Sequence, residues 1–367
     1  MSSFSIMFDS YLTTTLTFDY MVIFLYILSV LWILTTFIPL IRHDYWTFRV
    51  FEYPRLQKLV LSAATFVSVI ILCPSTTFRN ILLAGSGMTI LYLLKQILPF
   101  TPFSAQQVLK VKDKRPEQDL KIMISNVYED NSNYEGCIRV INDADADMVL
   151  LLETSHAWEK ALRSIDKKYP YSVKEPIDNT YGMLLFSKFE LRDAEVKYLV
   201  EDDIPSIHTK IVLQNGQEVQ IYALHPTPPV PNENPRSTER DKELLLVADM
   251  ARKSRLPVIV CGDLNDVAWS YTTELFLKMS QLLDPRRGRF FMNTFHAHYP
   301  ILRFPLDHIF CSTDFKLVCM KRLHNYDSDH FPIFTHLQFE NSAKYQQEAM
   351  EVDQEDIEMA QEKKEKC

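Results

Sequence analysis

The chain has 367 residues, 47% of them hydrophobic, and carries 39 Lys and Arg against 47 Asp and Glu, a formal net charge of −8. That length allows one sizeable core plus an accessory region, and the acidic balance argues against a strongly cationic nucleic-acid-binding surface. A local basic groove remains open to the chain, because nine acidic and four basic side chains fall within residues 340–367 and leave the rest nearer neutrality.

From the amino terminus, residues 20–41 run without a charge, long enough to cross a hydrocarbon core as a helix. Residues 59–77 are a second such stretch, which Pro74 should end early, and 81–98 are a third, in which Lys95 can snorkel to the interface. Three successive apolar runs, with no basic segment before the first, fit transmembrane helices in a membrane region over 1–100 better than a secretory signal or a buried helical core. Arg42, Arg49, Arg55 and Lys58 flank or fill the first loop, and Lys110, Lys112, Lys114 and Arg115 follow the third run. With three crossings, the positive-inside rule puts both basic segments, and whatever follows, in the cytoplasm. If the third run only lies in the interface, the following domain is on the other side.

Residues 101–120 read as a polar connector. Residues 121–127 then alternate as a strand, 148–153 form a short apolar strand, and 155–166 form a helix that Ser155 can cap. Further strands are expected at 182–186, 207–213 and 219–225. Helical spacing over 236–254 turns Leu244, Leu245, Val247 and Ala248 inward. Residues 257–261 are a buried strand ending at the turn-forming Gly262-Asp263, and late strands follow at 306–311 and 331–339. Strands with intervening helices predict an α/β domain over 121–339. The charged tail, 340–367, reads as a solvated helix or a disordered extension. The six cysteines, Cys73, Cys137, Cys261, Cys311, Cys319 and Cys367, form no close pair, and most sit in apolar runs as small hydrophobes. No structural zinc site is expected; a disulfide between distant cysteines stays open.

Polar residues recur at the ends of these strands: Asn126, Glu153, His225, then Asp263 and Asn265, Asp307, and finally Ser328-Asp329-His330. An extended backbone points Asp263 and Asn265 to the same side. The carboxylates of Glu153, Asp263 and Asp329 suit magnesium or manganese better than zinc. Such an ion neutralises charge developing on a phosphoryl group, and a histidine beside a carboxylate can activate water. Each signal alone also reads as a turn after a strand or as surface polarity. Their shared position after apolar strands is what points to a site.

Taken in order, Ile-Ser-Asn-Val at 124–127, Glu153, His225, Gly-Asp-Leu-Asn at 262–265, Leu-Asp-His-Ile at 306–309 and Ser-Asp-His at 328–330 resemble the endonuclease/exonuclease/phosphatase superfamily. That superfamily includes DNase I-like nucleases and inositol and lipid phosphatases. The resemblance implies a four-layer α/β sandwich of the DNase I-like type, here preceded by transmembrane helices, with the active site at one edge of two packed sheets. It implies Glu153 as the main ligand of Mg2+ (or Mn2+), with Asn126 and Asp329 assisting at the metal. His225 would contact the scissile phosphate, Asp263 would orient or deprotonate the attacking water, and Asn265 would bind a phosphate oxygen. His330, held by Asp307, would bond the phosphate or transfer a proton. Two departures are Leu152, where Gln often precedes the metal-binding Glu, and His308, where an aromatic residue commonly stands.

His-Pro-Thr-Pro-Pro at 225–229, Arg240 and the three apolar runs are also similar to a membrane-attached bacterial branch. It includes the glycopeptide-resistance membrane phosphatases, associated with lipid-linked cell-envelope precursors and carrying an extracytoplasmic catalytic domain. The charge distribution points instead to the cytoplasm. Arg240 would face either phosphate or solvent. The expectation is therefore a divalent-metal-dependent phosphoesterase acting on a phosphate ester or phosphoanhydride at the membrane bilayer, in its narrower form on a lipid-linked substrate. One alternative is a membrane-tethered endonuclease or exonuclease, disfavoured by the acidic charge and the lack of a long basic-aromatic tract. The other is a catalytically silent scaffold, which would lack several residues that this chain keeps.

Overall fold

The computed structural model describes residues 2–366, with side chains from Thr17 onward, so Cys367 lies outside the described residues. The chain divides into one unit of Met1–His43 and Thr47–Leu98 and a second of Asp44–Trp46 and Pro99–Cys367. Four helices occupy the first hundred residues: α1 (Ser2–Phe37), the short α2 (Trp46–Arg49), α3 (Arg55–Leu72) and α4 (Thr77–Ile97). The stretches Thr17–Ile41, Arg55–Leu72 and Thr77–Phe100 are long and apolar enough to cross a membrane.

The second and third stretches begin about four residues earlier than the uncharged runs. Arg55 stays within α3 because it and Arg49 pair with buried Glu52 at 3.6 and 3.3 Å, and Lys58 Nζ donates to the Phe51 carbonyl at 2.6 Å. Thr76 caps α4 by accepting from the Arg79 amide. As Pro74 dictates, α3 stops at Leu72. Leu25, Val69 and Cys73 pack together inside this unit, while Phe24, Ile27, Val67 and Leu91 stay exposed, the apolar exterior that a lipid-facing bundle requires.

The second unit carries β1 (Asp119–Asn126), β2 (Met148–Leu152), β3 (Tyr171–Glu175), β4 (Met183–Ser187), β5 (Leu191–Lys197), β6 (Ser206–Val212), β7 (Glu218–Leu224), β8 (Val258–Asp263), β9 (Asp307–Cys311), β10 (Phe315–Arg322) and β11 (Ile333–Phe339). They form two mixed sheets, ordered β10-β11-β1-β2-β4-β3 and β5-β6-β7-β8-β9. The parallel pairs are β1 with β2 and β7 with β8. Side-chain alternation builds the layers. Ile122, Ile124, Leu150 and Leu152 meet Ile221, Ala223, Ile259 and Ile309 between the sheets. Met123, Val149 and Leu151 point outward to α5 (Tyr134–Ala144) and α6 (His156–Ala161). On the other side Leu224, Val258 and Val260 pack under α7 (Thr238–Lys253) and α8 (Tyr271–Ser280). The result is an α/β domain of two sheets flanked by helices.

Three local expectations change. The helix at 155–166 is α6 followed by a 3-10 turn, Leu162–Ile165. Ser155 makes no capping bond there, and Asp178 accepts from the His156 amide. The connector is folded onto the domain: Val108 is buried in its core, and Lys110 bridges Leu317. The tail is largely exposed but ordered and docked. Its helix α9 (Gln354–Glu365) buries Ala360 against Leu245 and Leu275, and Lys363 reaches Asp241 at 2.6 Å and Asp44 at 3.4 Å. The five described cysteines are free, so no distant disulfide forms among them.

Candidate active site

Asn126, Glu153, His225, Asp263 and Asp307 lie at or next to strand ends, while Asn265, Asp329 and His330 lie in loops. Asn126 ends β1 and Glu153 follows β2, its parallel neighbour, so the two side chains emerge side by side. Asp263 ends β8 and pairs in register with Asp307, the first residue of β9. Gly262 has φ +144° and lies so close to β7 that a Cβ there would overlap the Leu224 carbonyl, which is the physical reason for glycine in Gly-Asp-Leu-Asn. Glu153 and Asn265 both hold left-handed backbone, φ +60° and +50°, a conformation costly for non-glycine residues and common where a fold aims a functional side chain.

The side chains form one network. Asn126 Nδ2 donates to Glu153 Oε1 at 2.6 Å and to Asp263 Oδ2 at 3.2 Å, tying the two sheets together. Asn126 Oδ1 accepts from the Tyr128 amide, which fixes which end of the amide faces the carboxylates. Ser328 donates to the Asn126 carbonyl and accepts from the His330 amide. His330 lies between two acids, Nδ1 at 2.8 Å from Asp307 Oδ2 and Nε2 at 3.5 Å from Asp263 Oδ2. Asn265 donates to the Pro226 carbonyl at 2.9 Å, holding the loop after β8 to the loop after His225.

Burial and charge set the protonation states. Burial pushes Glu153 up to about 7, against the bond from Asn126. Burial also opposes a charge on His330, but Asp307 and Asp263 outweigh it and hold the imidazolium up to about 10. Asp263 is buried too, yet the two histidines beside it draw it below the usual carboxylate range. Burial raises Asp307 and lowers His225 to about 4, keeping it neutral. His225 Nδ1 is buried without a hydrogen-bond partner, and so are Asp307 Oδ1 and Asp329 Oδ1.

Those bare oxygens decide whether a cation suits the site. Asp263, Asp307 and His330 offer ligand atoms within 4.8 Å of one another. Asp329 keeps a bare oxygen, and Glu153 Oε2 receives only a long bond, 3.3 Å, from the Glu129 amide. A set of hard oxygens short of donors fits a divalent cation such as magnesium or manganese. An ion bound there would supply a positive centre to polarise a phosphoryl oxygen.

Other residues carry no motif signal but support the site. The ring of Phe295 lies 4.9 Å from that of His330, and Tyr181 lies 5.3 Å from His225. Both come from irregular segments, where periodicity is silent. Arg240 does not face solvent. It is 1% exposed, donates to the Asn265 carbonyl at 2.7 Å, and pairs with Asp241 and Asp266. His308 is structural, accepting from Arg286 at Nδ1 and donating from Nε2 to the Asp266 carbonyl. Burial, with Arg286 beside it, holds it down at about 3, consistent with that neutral tautomer.

Comparison with known proteins bears on the family and the fold. The model of the Endonuclease/Exonuclease/phosphatase family matches residues 123–330. No curated protein matches the chain. An endonuclease/exonuclease/phosphatase from Beutenbergia cavernae DSM 12333 is 16% identical, with 61% of this chain and 72% of that chain covered and a TM-score of 0.50, a likeness of fold. The human Nocturnin catalytic domain with bound sulfate anion is 16% identical over 62% of this chain and 96% of its own, at a TM-score of 0.48. D. rerio TDP2 complexed with single strand DNA product is 16% identical over 60% and 99%, at 0.49.

Proposed function

Since this chain belongs to the endonuclease/exonuclease/phosphatase family and is a metal-dependent phosphoesterase, we propose that it hydrolyses a phosphate ester or phosphoanhydride carried on a membrane lipid. The observation that carries this reading is the attachment of a full phosphoesterase site to three helices of membrane-crossing length. The proposed domains are a membrane region over 1–100, a connector over 101–120, a catalytic domain over 121–339 and a tail over 340–367. Support for three crossings comes from Asp44–Trp46, which fold with the catalytic unit although they follow the first candidate span. The Trp46 amide donates to the Pro235 carbonyl, and the Ser237 amide donates to that of Asp44. An even number of crossings between residues 46 and 99 is then required, which α3 and α4 together supply.

In this mechanism the carboxylates of Glu153 and Asp329 would hold the metal ion, with Asn126 orienting Glu153 by donating to its Oε1, and the ion would supply positive charge to the phosphoryl group. Asp263, ionised and 3.5 Å from His330 Nε2, orients the attacking water and takes its proton. His330, kept protonated by Asp307, and neutral His225 donate hydrogen bonds to the phosphoryl oxygens, where charge grows in the transition state. Asn265 steadies a further oxygen.

The test is hydrolysis by the purified full chain, with magnesium or manganese, of lipid phosphates, inositol phosphates, DNA and RNA. Preference for lipid phosphates, abolished by chelation and by Glu153→Ala or His330→Ala, is expected. Preference for DNA or RNA would replace this reading with a membrane-tethered nuclease. Full activity in both variants would remove the site assignment.

A further inference from the structure

The 26 residues between Ser280 and Asp307 are long for a connection in a compact domain, a length that usually marks function. Part of that segment is an ordered arm. The amides of Thr294 and Phe295 both donate to the Phe304 carbonyl at 3.0 Å, and the His296 amide donates to the Leu302 carbonyl at 3.2 Å. The base of the arm stands on the catalytic residues: Phe295 packs on the His330 ring, and the Ala297 amide donates to the Asp329 carbonyl at 2.6 Å. Its tip is apolar and open, with Tyr299 58%, Ile301 78% and Leu302 53% exposed. Two cations of or beside the arm, Arg303 and Arg322, stack on one aromatic neighbour, Phe331, at 4.9 and 4.5 Å.

The course of the chain says what meets this tip. Where it leaves the third candidate span, the Pro99 carbonyl accepts from the Gly288 amide at 2.7 Å, and Arg287 stacks on Phe100 at 5.4 Å. The arm begins six residues after Gly288. Where the chain leaves the first candidate span, Asp44–Trp46 bind Pro235 and Ser237 in the loop that follows His225. Residues 44–46 and 99, which fold with the catalytic unit, are thus bonded to its segments after His225 and between α8 and β9. We propose that the arm at 294–304 is a bilayer-docking element, which seats Tyr299, Ile301 and Leu302 in the lipid interface and holds the catalytic pocket at headgroup level. An aromatic and aliphatic tip with arginines of or beside the arm matches the chemistry of that interface, apolar toward the acyl chains and cationic toward the phosphates.

This inference rests on reading the three helices as membrane spans. The test uses the full chain carrying Cys319→Ser and Cys367→Ser, in phosphatidylcholine–phosphatidylglycerol vesicles. A nitroxide is placed at Ile301→Cys, at the span position Leu31→Cys or at the exposed catalytic-domain position Lys167→Cys. Collision with oxygen and with a water-soluble nickel chelate is measured at each. At 301 the oxygen-to-chelate ratio should exceed that at 167 by about tenfold and approach that at 31. A ratio at 301 equal to that at 167, with 31 still lipid-like, overturns the docking arm and leaves the spans standing. Water-like values at both 31 and 301 overturn the spans and the arm together. The readout needs no turnover, so it stands apart from the identity of the substrate.

Discussion

Asn126 donates one side-chain amide to Glu153 at 2.6 Å and, from the same nitrogen, to Asp263 at 3.2 Å, so a single residue joins the carboxylates of both sheets. Truncation would leave two buried acids without that donor and bring their charges into direct opposition. Asn126→Ala should lower kcat/KM by about 5-fold to 150-fold, the equivalent of the 1–3 kcal/mol that a lost buried hydrogen bond costs. It should also weaken magnesium binding, measured by calorimetry. Unchanged metal affinity would remove Asn126 from the metal site.

Asp307 Oδ2 holds His330 by Nδ1 at 2.8 Å. His330→Gln should reduce kcat by about 10²–10⁴, the range for a positioned proton donor. Asp307→Asn should reduce it less, because the imidazole keeps its place but loses the charge that holds its proton. The double variant should be no slower than His330→Gln alone, since residues acting as one unit are not additive. Additive losses would separate the two roles.

The strand-end residues could be read in advance because sheet alternation and turn chemistry act locally. Gly262 before Asp263 is needed by a backbone contact one strand away, and it leaves a mark in the sequence. The partners that stabilise buried charge leave none. Arg240 lies in a polar helix, and nothing nearby announces that it will sit inside, bonded to the Asn265 carbonyl and paired with Asp266. Lys363 is one cation among many in the tail, yet it meets Asp44, 319 residues away. Phe295 and Tyr181 escaped notice for a different reason: irregular segments carry no period from which a facing direction can be taken.

Arg240 is thus a test of stability rather than of substrate binding. Arg240→Met removes the partner of two buried acids, of which Asp241 keeps Lys363. Breaking a buried pair by removing one partner costs about 3–5 kcal/mol, and the compensation at Asp241 places this variant toward the lower end. Denaturant unfolding would measure it. A loss of activity with no loss of stability would instead return Arg240 to the substrate.

Glu243 gives a pH dependence separable from catalysis. It is 3% exposed on α7, its Oε1 has no hydrogen-bond partner, and burial pushes it up to about 8. The folded state therefore holds a proton that the unfolded chain releases near the ordinary carboxylate value, and stability falls as pH rises between that value and about 8. Glu243→Gln keeps the neutral shape and should flatten that slope, gaining on the order of a few kcal/mol at pH 8 relative to the parent. Parallel unfolding curves for both proteins across pH 5–8 would refute the assignment.

The membrane reading makes a prediction about sides. Residues 44–46 fold with the catalytic unit, so Tyr45→Cys and Phe103→Cys, both at exposed positions, must lie on one side of the bilayer. Ser75, between α3 and α4, must lie on the other if both helices cross. In intact cells expressing the full chain with Cys319→Ser and Cys367→Ser, an impermeant maleimide should modify 45 and 103 alike and treat Ser75→Cys oppositely. Labelling of 45 and 103 alone would place the catalytic domain outside, as the bacterial resemblance implies. Labelling of 75 alone would place it in the cytoplasm, as the basic loops imply. Equal labelling at all three positions would mean that α3 and α4 do not cross. The catalytic unit would then be tethered by α1 alone, because the fold of residues 44–46 forbids a single further crossing.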